Sequence, residues 1–579
     1  MGWGTVGWGL ASGWIVIMAS GATAVAQPSA APPGVQPEER PEERPEERYA
    51  QVDPSQDRFP ETDVPTPLPP EEGPTLPTPS QPTAPLPPEG EQTVYVEQIR
   101  VRGSTVFSPA ELQAVVAPFQ GQSLTLEGLT QAANAVTQLY LNRGYITSQA
   151  VVADQVVDDG ILEIQVIEGA LEAIQVEGTE RLDDYVRSRI ALAGLQPLNQ
   201  FRLEDQLRLL QADPLFEEIT ASLRAGSGQG QSILVVQVTE APAFAANLVA
   251  DNFSPRSVGR ERIGAVLQYR NPVGWGDTLL ASAYYSSEGG SELYELSYRV
   301  PLNPMNGTLQ LRAAPNDFRI VDEAFTAPGL NIEGSTEIYE ATFRQPLIRT
   351  SRQELALSLG FRYRDGETLI NEFITDENRT SVVSFGQDYL RRDPQGAWAV
   401  RSQFRFGTEL FNATDGIEPD GQFFSWLGQL QRLQVLSPDQ ILLLQADLQL
   451  ANDSLLGSEQ FFVGGGQSVR GYFQNQRSGD NGLRFSIEDR ITLVREDDGR
   501  VLLQTTPFLD LGYVWAKDAD INQFTDDNLL LGTGVGFILN LTPDLTTRLD
   551  IGIPLITLDE QAGDRPSRVQ VHFNVNYRL

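Results

Sequence analysis

From Phe244 to Leu579 the chain alternates apolar and polar residues in short segments, and period two is the signature of a strand whose two faces meet different surroundings. The last segment is the clearest. Val569, Val571, Phe573, Val575, Tyr577 and Leu579 share one face, while Arg568, Gln570, His572, Asn574, Asn576 and Arg578 share the other. Likewise Leu549, Ile551 and Ile553 oppose Arg548, Asp550 and Gly552, and Leu444, Ala446, Leu448 and Leu450 oppose Gln445, Asp447 and Gln449. Alternation alone does not separate a soluble sandwich from a membrane sheet; repetition tilts the choice. Sixteen such segments begin near Phe244, Arg262, Thr278, Glu292, Thr308, Glu337, Glu354, Ser381, Trp398, Phe423, Ile441, Leu483, Val501, Leu529, Arg548 and Arg568. Many are about ten residues long, which is what a tilted transmembrane strand needs. A sheet of this many strands with no intervening helix has its open edges best removed by closure. The expected fold for residues 242–579 is therefore a sixteen-stranded antiparallel transmembrane β-barrel, apolar toward outer-membrane lipid and polar toward a wet lumen.

The first 241 residues read differently. Trp14-Ile15-Val16-Ile17-Met18 leads to Ala24-Val25-Ala26, so residues 1–26 are expected to be a signal peptide cut before Gln27. Residues 27–92 carry Pro-Glu-Glu-Arg three times from Pro37 to Arg48, followed by a run of Pro, Thr and acids. Such a stretch cannot bury enough apolar surface to offset its ordering entropy and is expected to be a disordered tether. Two mixed units follow, over 93–169 and 170–241, each with a β-α-α-β-β plan. In the first, Thr93–Val101 reads as a strand. Thr125 reads as an N-cap, with Leu129, Ala132, Ala133, Val136, Leu139 and Tyr140 at helical spacing before Gly144. Strands through Val151-Val152 and Ile161–Val166 complete the unit. The second repeats the order, with a strand over Ile174–Glu177, helices near Asp183–Ala193 and Leu203–Gln211, and strands over Glu218–Leu223 and Ile233–Val238.

Composition narrows the chemistry. The absence of cysteine excludes disulfides, thiolate metal sites and cysteine nucleophiles, and the net charge of −35 argues against a nucleic-acid partner. The one histidine, His572, points to the lumen by register and reads as a polar wall residue. Glu71-Glu72 falls in the tether and Asp497-Asp498 in a turn, so both read as solvated charge. No residue set for catalysis, a cofactor or a metal emerges, and the chain is not expected to be an enzyme.

One connection stands apart. Gly464-Gly465-Gly466-Gln467-Ser468-Val469-Arg470-Gly471-Tyr472 lies between the eleventh and twelfth strands, where glycines allow a compact loop that presents a single cation. In Phe508-Leu509-Asp510-Leu511-Gly512-Tyr513, the residues Leu509, Leu511 and Tyr513 should face lipid, which turns Asp510 to the lumen. A carboxylate against a wall with little water needs a partner, and Arg470 on an infolded loop over 458–481 would supply it.

Val469, Arg470, Gly471 and Tyr472, with Phe508, Asp510 and Gly512, resemble the signature pair of the outer-membrane insertase and secretor superfamily. More narrowly, the chain resembles the transporters of two-partner secretion, the hemolysin and filamentous-haemagglutinin secretor family. The matching residues include Gly144-Tyr145, Ser148, Ala150, Gln155, Gly160 and Glu168-Gly169, then Asp213-Pro214, Leu223, Gly226, Gly230 and Ser232. In the barrel they are Asp251-Asn252, Asn271-Pro272-Val273-Gly274, Gly276-Asp277, Ser297-Tyr298 and Pro301. The resemblance implies two periplasmic POTRA domains ahead of a sixteen-stranded barrel in the bacterial outer membrane, inserted there by the barrel assembly machinery. It also implies a loop Arg that contacts the wall Asp, and a large secreted exoprotein that docks on the POTRA domains for export without nucleotide hydrolysis. An assembly factor that inserts other barrels is the alternative. The sequence departs from the family at Ala153 and Ala225, where Pro is frequent, at Leu579, where an aromatic is usual, and over 27–92, which are proline-rich where family members often begin with a plug helix, so whether one exists here stays open.

Overall fold

The computed structural model describes residues 93–153, 155, 159–322, 330–416, 419–517, 528–558 and 569–579. The leader and tether expected over 1–92 lie outside the described residues, as does Arg568.

The first module contains β1 (Thr93–Val96), β2 (Gln98–Arg102), α1 (Pro109–Val116), β3 (Gln122–Thr125), α2 (Leu126–Asn142), β4 (Gln149–Val152) and β5 (Ile161–Ile167). Ser108 and Glu111 form a capping box at the start of α1, with Pro109 as its first helical residue. The Thr125 hydroxyl accepts from the Gly128 amide and starts α2. From there Leu129, Ala132, Ala133, Val136 and Tyr140 pack on the β2–β5–β4 sheet through Ile99, Leu162 and Ile164. The single strand expected over 93–101 is two. The amides of Glu97 and Gln98 both donate to the Gly160 carbonyl, which turns the chain, so β1 pairs with β3 and β2 with β5. Glu168 ties the module together, its carboxylate accepting from the Thr105 amide and hydroxyl, the Val106 amide and the Tyr140 hydroxyl. Burial pushes the Tyr140 phenol up, so it remains a neutral donor to Glu168.

The second module repeats the core of this plan without a counterpart of the β1–β3 ladder: β6 (Ala170–Glu177), α3 (Asp183–Ile190), α4 (Gln200–Gln211), β7 (Phe216–Ala225) and β8 (Gln231–Glu240), in the order β6–β8–β7 that matches β2–β5–β4. It is bolted to the near ends of the barrel strands at three successive turns. Arg181 donates to the Pro272 carbonyl at 2.9 Å, and Arg189 to Asn306 Oδ1 at 3.3 Å. Asp205 accepts from both the amide and the hydroxyl of Ser351, at 2.8 and 2.6 Å. Tyr185 lies so close to Gly276, which holds φ +77°, that a Cβ there would fall 2.3 Å from the ring.

The barrel begins with β9 (Phe244–Asp251), β10 (Arg262–Arg270), β11 (Thr278–Ser286), β12 (Ser291–Pro301), β13 (Thr308–Arg319), β14 (Ile332–Arg349), β15 (Gln353–Ile370) and β16 (Phe373–Asp393). It continues through β17 (Gly396–Thr408), β18 (Phe424–Ser437) and β19 (Gln440–Ala451). A short hairpin, β20 (Phe461–Val463) and β21 (Arg477–Gly479), interrupts the wall, which resumes with β22 (Asn481–Arg495), β23 (Val501–Trp515), β24 (Leu529–Thr542), β25 (Leu545–Pro554) and β26 (Gln570–Arg578). Each wall strand is antiparallel to the next and β26 pairs with β9, so sixteen strands close without an edge. Along β26 the two faces differ as the alternation requires: Val571 is 45% exposed, whereas Gln570 and His572 are buried.

The lumen face is lined by paired charges. Arg312 meets Glu295 and Glu340, and Arg344 meets Glu354 and Asp388. β14, β15 and β16 run to 18, 18 and 21 residues, so β14 and β16 start well before the expected Glu337 and Ser381. In the added lengths the outward face is acidic, with Glu333, Glu337, Asp365 and Glu367, and the inward face is polar too, with Thr336, Arg364 and Thr368 buried, so the apolar–polar alternation disappears. The seam is closed unusually. β26 pairs with β9 only from Asn574–Asp251 to Arg578–Asn247. Beyond that, the Asn252 side-chain amide substitutes for a strand, donating to the Val571 carbonyl at 2.8 Å and accepting from the Phe573 amide at 3.0 Å.

Candidate functional site

The connection between β19 and β22 folds into the lumen. β20 and β21 pair from Phe461–Gly479 to Val463–Arg477, and the chain between them turns through Gly464 and Gly465, both at positive φ. These two glycines are required: a Cβ on Gly465 would lie 1.9 Å from Gln474 Oε1. The turn delivers Val469 to Tyr472 against the wall formed by β22 to β26.

Arg470 is buried and fully engaged. Its Nε lies 2.7 Å from Asp510 Oδ2 and its Nη2 2.9 Å from Asp510 Oδ1, a bidentate pair, while its backbone amide also donates to Oδ2 at 3.1 Å. Nη1 reaches Glu488 Oε2 at 2.6 Å and lies 3.5 Å from Asp550 Oδ1. The guanidinium carbon sits 3.5 Å from the centroid of the Phe508 ring, which gives Phe508 a direct cation–π contact. Ser486 donates a further bond to Asp510 at 2.6 Å. Glu488 is shared with Arg490 and Arg548, and Arg548 returns to Asp550 at 2.7 Å. Three arginines thus face three carboxylates, a balanced set that meets the requirement for charges out of bulk water.

The neighbours of Arg470 fix the loop by packing and by backbone contact. Val469 joins Val463, Leu427, Val514, Leu530 and Leu558 in a small apolar cluster. The Tyr472 hydroxyl lies between β24 and the end of β25, within 2.9 Å of the Ile556 carbonyl and 3.2 Å of the Leu531 amide. Gly471, at φ +102°, passes against Ile553 and Pro554, and its amide lies 3.4 Å from His572 Nε2. Gly512 is glycine because a Cβ there would come within 2.8 Å of Val469 and 2.9 Å of Val463. At its base the hairpin is held from the opposite wall. Glu459 accepts from Thr380 at 3.1 Å and faces Arg362 and Arg405, each at 3.9 Å.

All seven motif residues named from the sequence therefore meet at one place. Tyr513 does not follow its expected exposure: it keeps the outward register of Leu509 but is covered, stacking on Trp515 at 5.5 Å. Sequence reasoning missed Glu488, Arg548, Asp550, Ser486, Gly532 and Gly552. One signal was available. Gly532 and Gly552 fall at lumen-facing positions of consecutive strands, and glycine inside a strand marks close approach of another backbone. A Cβ on Gly532 would lie 1.9 Å from the Arg470 carbonyl, and one on Gly552 would lie 2.4 Å from the Gly471 amide.

What this arrangement can do is mechanical. The loop enters the lumen and is pinned at its tip by a buried ion cluster and at its base by Glu459. Among the described residues no cluster of His, Asp or Glu is disposed to hold a metal.

Comparison with known proteins follows the same lines. Residues 230–539 match the family model described as haemolysin secretion/activation protein ShlB/FhaC/HecB, and residues 94–169 match the POTRA domain, ShlB-type. The outer membrane transporter CdiB of Escherichia coli is 26% identical over 408 residues, 67% of this chain and 67% of that protein. The hemolysin transporter protein ShlB of Serratia marcescens is 23% identical over 423 residues, 70% of this chain and 73% of that protein. The solved structure of CdiB from Escherichia coli superimposes with a TM-score of 0.67 at 24% identity, covering 87% of this chain and 94% of that one.

Proposed function

Because the chain belongs to the haemolysin secretion/activation family ShlB/FhaC/HecB, the outer-membrane transporters of two-partner secretion, we propose that it exports one large secreted protein whose passage is controlled by the Arg470 loop. The barrel lies in the outer membrane and the POTRA region in the periplasm. We assign the second module, 170–241, as a second POTRA domain. The exported chain docks on this pair in extended form by strand addition, which supplies backbone hydrogen bonds with limited side-chain readout. It then crosses the lumen, where wall charges already paired with one another offer only weak, replaceable contacts. The sequence carries no nucleotide-binding loop, and export draws on folding of the cargo outside the cell. We assign the chain no catalysis.

The observation that supports this reading is the Arg470–Asp510 contact, which holds a loop across a lumen whose near end carries the bolted periplasmic module. Deleting the chain and comparing surface proteomes tests it. Loss of one large surface protein is the expected result; a general fall in outer-membrane proteins would assign it instead to barrel insertion.

A further inference from the structure

The outward face of β15 runs Leu355, Leu357, Leu359, Phe361 and then Tyr363, after which it turns acidic at Asp365 and Glu367. Tyr363 donates to Asp365 at 3.2 Å, and its cross-strand neighbour Tyr339 donates to Glu337 at 3.0 Å. Apolar residues below and acids above, with phenols between, mark the outer edge of the lipid belt, where barrels carry an aromatic girdle.

The girdle has a gap. Tyr339 pairs with Tyr363, Tyr363 with Ser381 and Ser381 with Thr408, so one row around the barrel reads Tyr, Tyr, Ser, Thr. Cross-strand partners point to the same side, so Ser381 faces outward. Yet Ser381 is 0% exposed. It is covered by the loop that leaves β17, in which Phe411 packs on Phe361 and Tyr363 with ring centroids 5.7 and 6.0 Å apart. That placement is imposed. Phe411 and Asn412 both take left-handed backbone, at φ 57° and 58°, which a phenylalanine seldom adopts without constraint. The loop is tied back to β16, the Thr414 amide donating to the Arg379 carbonyl at 3.0 Å and the Arg379 amide to the Thr414 hydroxyl at 2.9 Å. Even so, Leu410 and Phe411 remain 51% and 66% exposed.

We propose that Leu410 and Phe411 are a lipid anchor: the loop after β17 folds over the outer wall, fills the girdle gap above Ser381 and inserts both side chains into the outer leaflet. The occupant is lipid because the pair is continuous with the apolar belt. Two adjacent large apolar side chains held in a constrained turn at the level of the phenols suit the acyl boundary and not water.

The sequence contains no cysteine, so a single introduced thiol reports one site. The full chain carrying Phe411→Cys or Leu410→Cys is labelled with a nitroxide and reconstituted in phosphatidylethanolamine and phosphatidylglycerol vesicles. Relaxation by oxygen is compared with relaxation by a water-soluble nickel complex. Leu359→Cys in the belt and Asn371→Cys in the turn between β15 and β16 serve as references, and heat-modifiable migration confirms folding. Both loop labels should be oxygen-accessible and nickel-protected, close to the Leu359 reference. Labels that follow Asn371 would overturn the anchor and leave the pair as a water-facing surface open to the emerging cargo. Leu410→Cys retains the Phe411 ring, so the test stands even where Phe411→Cys disturbs the turn.

Discussion

Asp510 grips Arg470 three times, through the backbone amide, Nε and Nη2, so a single carboxylate fixes both the side chain and the course of the loop. Removing the guanidinium leaves the buried Asp510 without its arginine, while Glu488 keeps Arg490 and Arg548, at a cost on the order of 3–5 kcal/mol to the attachment of the loop. The wall itself is held by strand pairing that Arg470 does not join. Arg470→Ala is expected to give near-normal amounts of heat-modifiable barrel with greatly reduced surface cargo. Arg470→Lys should fall between, since an ammonium cannot make the bidentate pair. Quantifying both quantities in the same cells checks this, and unchanged export in Arg470→Ala would remove the loop from the mechanism.

The close approach of backbones at Gly532 gives a test that leaves every charge in place. Gly532→Ala puts a methyl 1.9 Å from the Arg470 carbonyl, where no flexible side-chain end can give way. The loop must shift, and overpacking of this kind costs about 1–3 kcal/mol. We expect higher conductance in planar bilayers and faster protease cleavage near Val469, with the barrel still folded. Conductance equal to the parent would show that the loop tolerates displacement without opening the lumen.

How far the sequence carried the reading depended on distance. Barrel strands were legible because alternation is a local property, and Gln570 and His572 faced inward for the same reason that Val571 faced out. Asp510 could be turned to the lumen by parity alone. The set it joins could not be read, because bringing Glu488, Arg548 and Asp550 to one point depends on the stagger between strands, which no short stretch encodes. The extensions of β14 to β16 were lost for a third reason: beyond Tyr363 both faces carry polar residues, outward Asp365 and Glu367 and inward Arg364 and Thr368, so no apolar–polar alternation marks them.

Asn252 bridges the first and last strands where their backbones part. Asn252→Leu keeps the volume and removes both bonds, leaving the Val571 carbonyl and Phe573 amide without partners in a setting with little water, a loss of about 1–3 kcal/mol for each. The variant should convert to its heat-unfolded form at a lower temperature than the parent. Amide exchange at Phe573 should quicken while exchange on β15, far around the wall, stays as it was. Identical exchange at Phe573 would mean that the seam is held by something other than this side chain.

The periplasmic clamp makes the last prediction. Asp205 accepts two bonds from Ser351, and with Arg181 and Arg189 it holds the second module on three turns. A charged acceptor of this kind contributes about 1.5–3 kcal/mol, enough to change a docked population severalfold. In Asp205→Ala the remaining two contacts are single bonds, so the module should sample more orientations while each domain stays folded. Spin labels at introduced cysteines, one on α4 and one in the turn between β14 and β15, report this as a broader distance distribution in the variant. Export should fall less than in Arg470→Ala, because the docking surface survives and only its aim is lost. An unchanged distribution would show that Arg181, Arg189 and the Tyr185–Gly276 packing hold the module alone, and the clamp would then rest on α3 and not on α4.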